Sequence, residues 1–128
     1  MEELSFQDKM KNRTKALAVR VLKMYGQLPK CDEIYIIGKQ LIRSSTSVAA
    51  NFRAFTRGRS EKEKFSKLCI VVEEADETLF WIEILEEAEL VKKERLSEIK
   101  TEITEILSIL ASFRRKMKSQ NKQSSQAQ

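Results

Sequence analysis

Lys39, Arg43, Arg53 and Arg57 are spaced so that, at 100° per residue, they fall within an arc of about 80° on one side of a helix. Arg59 follows directly. Arg13, Arg20 and Lys23 make a second set, within about 80° of one another. Arginine dominates the first set, and its planar fork of N–H donors matches phosphate or carboxylate oxygens. The chemistry open to such residues is electrostatic binding of an anion. Three readings of the stripe stand side by side: nucleic-acid phosphates, the acidic cluster Glu73, Glu74, Asp76 and Glu77 within or between subunits, and a solvated face. No RNA-binding aromatic motif or helix-turn-helix signature accompanies the stripe. Binding to DNA or RNA would therefore be to phosphate and shape, with little sequence readout.

The four carboxylates invite comparison with a metal centre or an acid–base pair. Di-iron bundles use Glu-x-x-His on two helices, and this chain has no histidine. The same lack removes the usual general base and the Ser-His and Cys-His nucleophile pairs. Cys31 and Cys69 alone cannot make a structural zinc site. We therefore expect no catalytic residue, no metal and no cofactor, in a protein that is not an enzyme. The segment Met1–Met10 has no apolar core of a signal peptide, and no run approaches the ~20 apolar residues of a membrane span. A cytoplasmic protein with reduced thiols is expected, Cys69 being a small core residue.

Net charge is +5, unevenly spread. Residues 1–59 hold 12 Lys/Arg against 5 Asp/Glu, residues 60–107 hold 7 against 14, and residues 108–128 hold 5 against none. Such asymmetry points to a polyanion partner or to self-association of opposite faces.

The elements that must position these groups are helices. One Pro and three Gly in 128 residues are too few for the turns of an all-β fold. Leu17, Val21, Met24 and Leu28 align on a helix over 8–27, which Pro29 ends. Asp32 is a candidate N-cap for a helix over 33–57, with Ile34, Ile37, Leu41, Ser45, Val48, Phe52 and Phe55 as its seam. Ser60 and Glu63 form a capping box before a helix over 61–89, seamed by Phe65, Leu68, Val72, Ala75, Leu79 and Ile82. The last helix, 93–117, has the most regular seam: Leu96, Ile99, Ile103, Ile106, Leu110, Phe113 and Met117. Residues 118–128 read as a disordered polar tail. Short connections and sustained 3-4 spacing predict an all-α, antiparallel up-down-up-down four-helix bundle packed at about 20°.

The chain has more apolar surface than one core needs. Ile70, Trp81 and Ile84 lie roughly opposite the seam of the third helix, and Ile36 and Ile42 fall off that of the second. These five are the expected oligomer interface, with Trp81 as its anchor. The competing reading is a splayed bundle whose ends they cover.

Two segments carry a family resemblance. Gln40-Leu41-Ile42-Arg43-Ser44-Ser45-Thr46-Ser47-Val48-Ala49-Ala50-Asn51-Phe52-Arg53 is one. The other is Lys64-Phe65-Ser66-Lys67-Leu68 followed by Ile70-Val71 and Glu73-Glu74-Ala75-Asp76-Glu77-Thr78-Leu79-Phe80-Trp81. Together they resemble the bacterial four-helix-bundle proteins encoded in intervening sequences of large-subunit ribosomal RNA genes. The chain is also similar to the accessory variability protein of diversity-generating retroelements. Relatives often carry a Glu shortly after the position of Asn51, where this chain has Ala54 and Phe55. The resemblance implies a homopentamer, and a basic surface that binds nucleic acid and a protein partner such as a reverse transcriptase. Ser44, Ser47 and Asn51 share a helix side at spacings of three and four. They suit a tight helix contact better than a ligand site. Glu74 and Glu77 are expected to orient that polar layer or to pair with Arg43 or Arg53.

Overall fold

The computed structural model describes residues 4–127. Met1–Glu3 of the expected domain and Gln128 of the expected tail lie outside the described residues. Four helices follow one another: α1 Phe6–Tyr25, α2 Asp32–Thr56, α3 Glu61–Glu87 and α4 Lys93–Ala127. Each packs against its neighbours in sequence and α1 also meets α4, while across the diagonals the backbones stay apart and only core side chains such as Phe55 and Phe113 meet. This closes an up-down-up-down four-helix bundle. Among the described residues no helix is long and apolar enough to cross a membrane.

The seams meet in one core. Leu17, Leu41, Val48, Phe52, Phe55, Leu68, Ala75, Ile82, Leu96, Ile103, Ile106 and Leu110 are all essentially inaccessible. Met24, Ile37, Phe65, Leu79 and Phe113 pack on the core half-buried. Cys69 departs from expectation, being half-buried rather than core; it and exposed Cys31 are free thiols.

Local chemistry sets the helix ends. Ser5 Oγ accepts from Asp8 N at 3.1 Å, and Ser60 Oγ accepts from Glu63 N at 3.0 Å. Each side chain satisfies a donor that the first turn leaves unpaired. The cap of α2 corrects the sequence reading. Cys31, in extended conformation, precedes the helix without a side-chain cap bond, and Asp32 is already the first helical residue. Asp32 and Glu33 act instead as first-turn acids against the helix dipole.

The α4 helix runs ten residues past the expected end. Met117 is still buried, and residues 118–127 contain neither Pro nor Gly, so nothing stops the ladder from propagating. The α3 helix ends two residues earlier than expected, in a Schellman turn. Leu90 N donates to Leu85 O and Glu89 N to Glu86 O, both at 3.0 Å, with Glu89 left-handed at φ 56°. A Cβ in that conformation crowds the following carbonyl. Glu89→Gly should therefore stabilise the protein by about 0.5–1 kcal/mol in urea titrations, with an unchanged m-value. A loss of stability would mean that Glu89 makes compensating contacts.

Candidate nucleic-acid interface

The tertiary structure divides the basic residues into paired and open sets. Arg13 grips Glu102 with two parallel bonds, Nε to Oε2 and Nη2 to Oε1, each 2.8 Å, and reaches Glu105 at 3.0 Å. Arg20 meets Glu98 at 3.0 Å. These pairs fasten α1 to α4, the seam with the least backbone contact. Hydrogen bonding to Glu102 raises the Arg13 pKa further above its ordinary value, and Arg13 in turn holds the Glu102 carboxyl below its own.

The native state therefore binds Glu102's proton more weakly than the unfolded chain does. The pair's contribution is complete above the ordinary value of 4.5 and fades as pH falls through the lower folded value. Both side chains are mostly covered, at 28% and 22% exposure. Arg13→Met should cost about 1–2 kcal/mol at neutral pH. In urea titrations that difference should vanish below the folded value; a gap that persists in acid would assign it to lost packing.

Arg43 is also engaged. It donates from Nη1 to Glu74 Oε2 at 3.0 Å, from Nη2 to Glu77 Oε1, and from Nε to Gln40 Oε1 at 3.1 Å. Partial burial pulls its pKa down, and the two carboxylates more than reverse that, leaving it raised. Trp81 Nε1 donates to the same Glu77 oxygen at 3.2 Å. Beneath this network Thr78 Oγ1 lies 2.9 Å from Ser44 Oγ, both fully buried. Two hydroxyl protons there serve three contacts, because Leu41 O and Glu74 O also lie within reach, at 3.2 and 2.8 Å. Asn51 Nδ2 bonds Ser47 O and Oγ, both at 3.0 Å, within its own helix. The two sequence segments singled out above are thus the two sides of the α2–α3 contact.

Arg53, Arg57 and Arg59 remain. All three are exposed, and among the described residues none forms an ion pair. They line a shallow groove of about 410 Å³ with Ala50, Ala54 and one acid, Glu63. Lys23 and Lys39 are exposed elsewhere. Lys39 donates to Tyr35 OH at 3.1 Å, which raises its pKa, and its ammonium lies 4.8 Å from the Tyr35 ring centre.

Aromatic packing shows what lies beside the open arginines. Phe55 meets Phe52 at 5.3 Å and Phe113 at 5.6 Å, and Phe113 meets Phe6 at 5.1 Å between ring centres. The cluster ties the start of α1, the end of α2 and the stretch of α4 around Phe113 at one end of the bundle. Arg114, Arg115, Lys116, Lys118 and Lys122 therefore emerge at the same end as Arg53 and Arg57. Residue-by-residue reading of helical stripes missed these five, although the acid-free block 108–128 was their signal.

The five apolar candidates do not form one exposed surface. Ile36 is 60% exposed, whereas Ile42, Ile70, Trp81 and Ile84 are half-buried. Ile42 and Trp81 pack on their own core, and the Trp81 ring lies edge-on to Phe80, 4.9 Å away. Tyr35 and Phe80, neither singled out from sequence, are 54% and 49% exposed. Among the described residues no group of three or more His, Cys, Asp or Glu is placed to hold a metal ion.

Comparison with known proteins matches residues 7–112 to the family described as 23S rRNA-intervening sequence protein. The chain is also similar to a crystal structure of a protein with unknown function from the S23 ribosomal protein family of Bacteroides thetaiotaomicron. That likeness has a TM-score of 0.78 and 31% identity, over 85% of this chain and 97% of the other. Comparison with curated proteins finds no match.

Proposed function

This chain belongs to the 23S rRNA-intervening sequence protein family, and from that premise we propose a non-enzymatic, cytoplasmic bundle that binds RNA or DNA through the basic end formed by α2 and α4. The observation that carries this is the open state of Arg53, Arg57 and Arg59 at the same end of the bundle as the acid-free stretch of α4. Cations that have carboxylate partners in their own chain have little to gain from phosphate. Among the described residues these have none, and releasing counterions from a nucleic acid gives them a favourable partner. Arg13, Arg20 and Arg43, candidates by spacing, serve the fold on this reading.

Anisotropy of a labelled structured RNA and a matched DNA duplex across a salt series tests the proposal. Binding should weaken steeply with salt. The triple variant Arg53→Glu, Arg57→Glu, Arg59→Glu should lower the slope of log K against log salt by about 3. Arg20→Glu, at a paired position, should leave the slope nearly as it was. No binding by the native chain at low salt, or an unchanged slope in the triple variant, sinks the reading.

A second reading has its own support in the exposed Tyr35, Ile36 and Phe80. They suit a homo-oligomer, a pentamer by the resemblance noted above, or a protein partner such as a reverse transcriptase. Sedimentation of the native chain against Ile36→Lys distinguishes assembly from a monomer.

A further inference from the structure

The α4 helix outruns the bundle it belongs to. Its 35 residues extend about 52 Å, against about 30 Å for the 20 residues of α1. Among the described side chains Met117 is the last in the core, and residues 118–123 include no buried one. Arg114, Lys118 and Lys122 stand at i, i+4 and i+8, stacked along one side, with Arg115 on the flank. Like charges at that spacing repel, and no acid after residue 107 offers an intrahelical partner. Over residues 118–123 the arm thus has neither a buried face nor its own counter-charge to hold it. Ser119, Gln120, Asn121 and Gln123, between and beside the lysines, are side chains of the kind that bond phosphate and sugar oxygens.

Two features select the form of the ligand. Grooves for single strands set aromatic rings among their cations as platforms for unpaired bases. Here most of the aromatic rings turn inward: Phe52 and Phe55 are buried and Phe113 is half-buried, while Phe6 is 42% exposed with its ring edge-on against Phe113. In addition, a helix holds its charges on a straight line. Arg114 to Lys122 covers about 12 Å, the length over which a duplex presents about seven phosphate charges.

We infer that the ligand of the basic end is double-stranded nucleic acid, with the α4 arm laid along its backbone and Arg53, Arg57 and Arg59 engaging it from the same end of the bundle, an assignment that rests on nucleic-acid binding at this end. The arm is then the part of the protein that separates duplex from single strand. The test compares the full chain with one ending at Met117, on DNA and RNA duplexes two turns long and on single strands of the same length. Circular dichroism and sedimentation check that the shortened bundle is intact. Lys118→Gln with Lys122→Gln in the full chain repeats the comparison without truncation. The full chain should bind either duplex about tenfold or more tightly than the single strand at one salt concentration. Losing the two lysines should reduce the duplex salt slope by about 2 and leave single-strand binding nearly unchanged. Equal or tighter single-strand binding, or a duplex slope that neither change alters, overturns the duplex assignment while nucleic-acid binding stands. No binding of any strand overturns both.

Discussion

Phe55→Ala loses about 3–5 kcal/mol of unfolding free energy in urea titration, the largest effect expected of any single change at the basic end. Phe55 is 1% exposed and meets the rings of Phe52 and Phe113, while Lys64 Nζ sits 5.3 Å from its own ring centre. Removing it opens a cavity where three helices converge, and helix ends held by long rings collapse poorly into such a space. A domain of this size has about 5–15 kcal/mol in hand, so the variant sits near the limit of folding at 37 °C. Phe55→Leu, which keeps most of the volume, should lose far less. A loss below about 1 kcal/mol for the alanine variant would show that the ring is not part of a packed core.

Ser44→Leu loses about 2–4 kcal/mol, by two mechanisms acting together. Ser44 is fully buried in the α2–α3 contact, the most extensive in the bundle, so a longer side chain forces the helices apart. The change also removes the oxygen 2.9 Å from the buried Thr78 hydroxyl, which falls back on Glu74 O alone. Smaller changes separate the two causes. Ser44→Ala removes only the hydroxyl and should cost about 1 kcal/mol. Combined with Thr78→Val it should cost no more than the single change, because a polar pair replaced by apolar groups of similar shape leaves nothing unpaired. Full additivity of the two single losses would mean that the hydroxyls do not interact.

The Ser-Ser-Thr-Ser run in the middle of α2 is poor helix sequence by propensity, and the structure shows what it does there. Ser44, Ser45 and Thr46 return their hydroxyls to carbonyls three or four residues back in α2. Their small size lets α3 approach. The tight contact was legible in the sequence, and the pairing of Arg43 with the acids of α3 was one of the alternatives it left open. That Arg53 takes no part was not legible, because Arg43 and Arg53 share one arc of the same helix. The half-burial of Trp81 on its own core was not legible for a related reason. Periodicity put it opposite the seam, but a large ring on the flank of a helix can still lie down on its neighbours and bond Glu77.

Four helices, their seams and their order followed from the sequence alone, because burial on one helix face repeats every three or four residues and Pro and Gly are scarce. The basic and acidic blocks were equally visible, since charge is a property of residues rather than of their arrangement. Only the tertiary structure decided which cations are free. Arg43 finds Glu74 across 31 positions of chain, and Arg13 finds Glu102 across 89. An ion pair depends on two side chains meeting within about 4 Å, a distance set by how helices pack and not by spacing along either one. The same holds for the basic end, where Arg57 and Arg114 share one end of the bundle because Phe55 and Phe113 meet in the core.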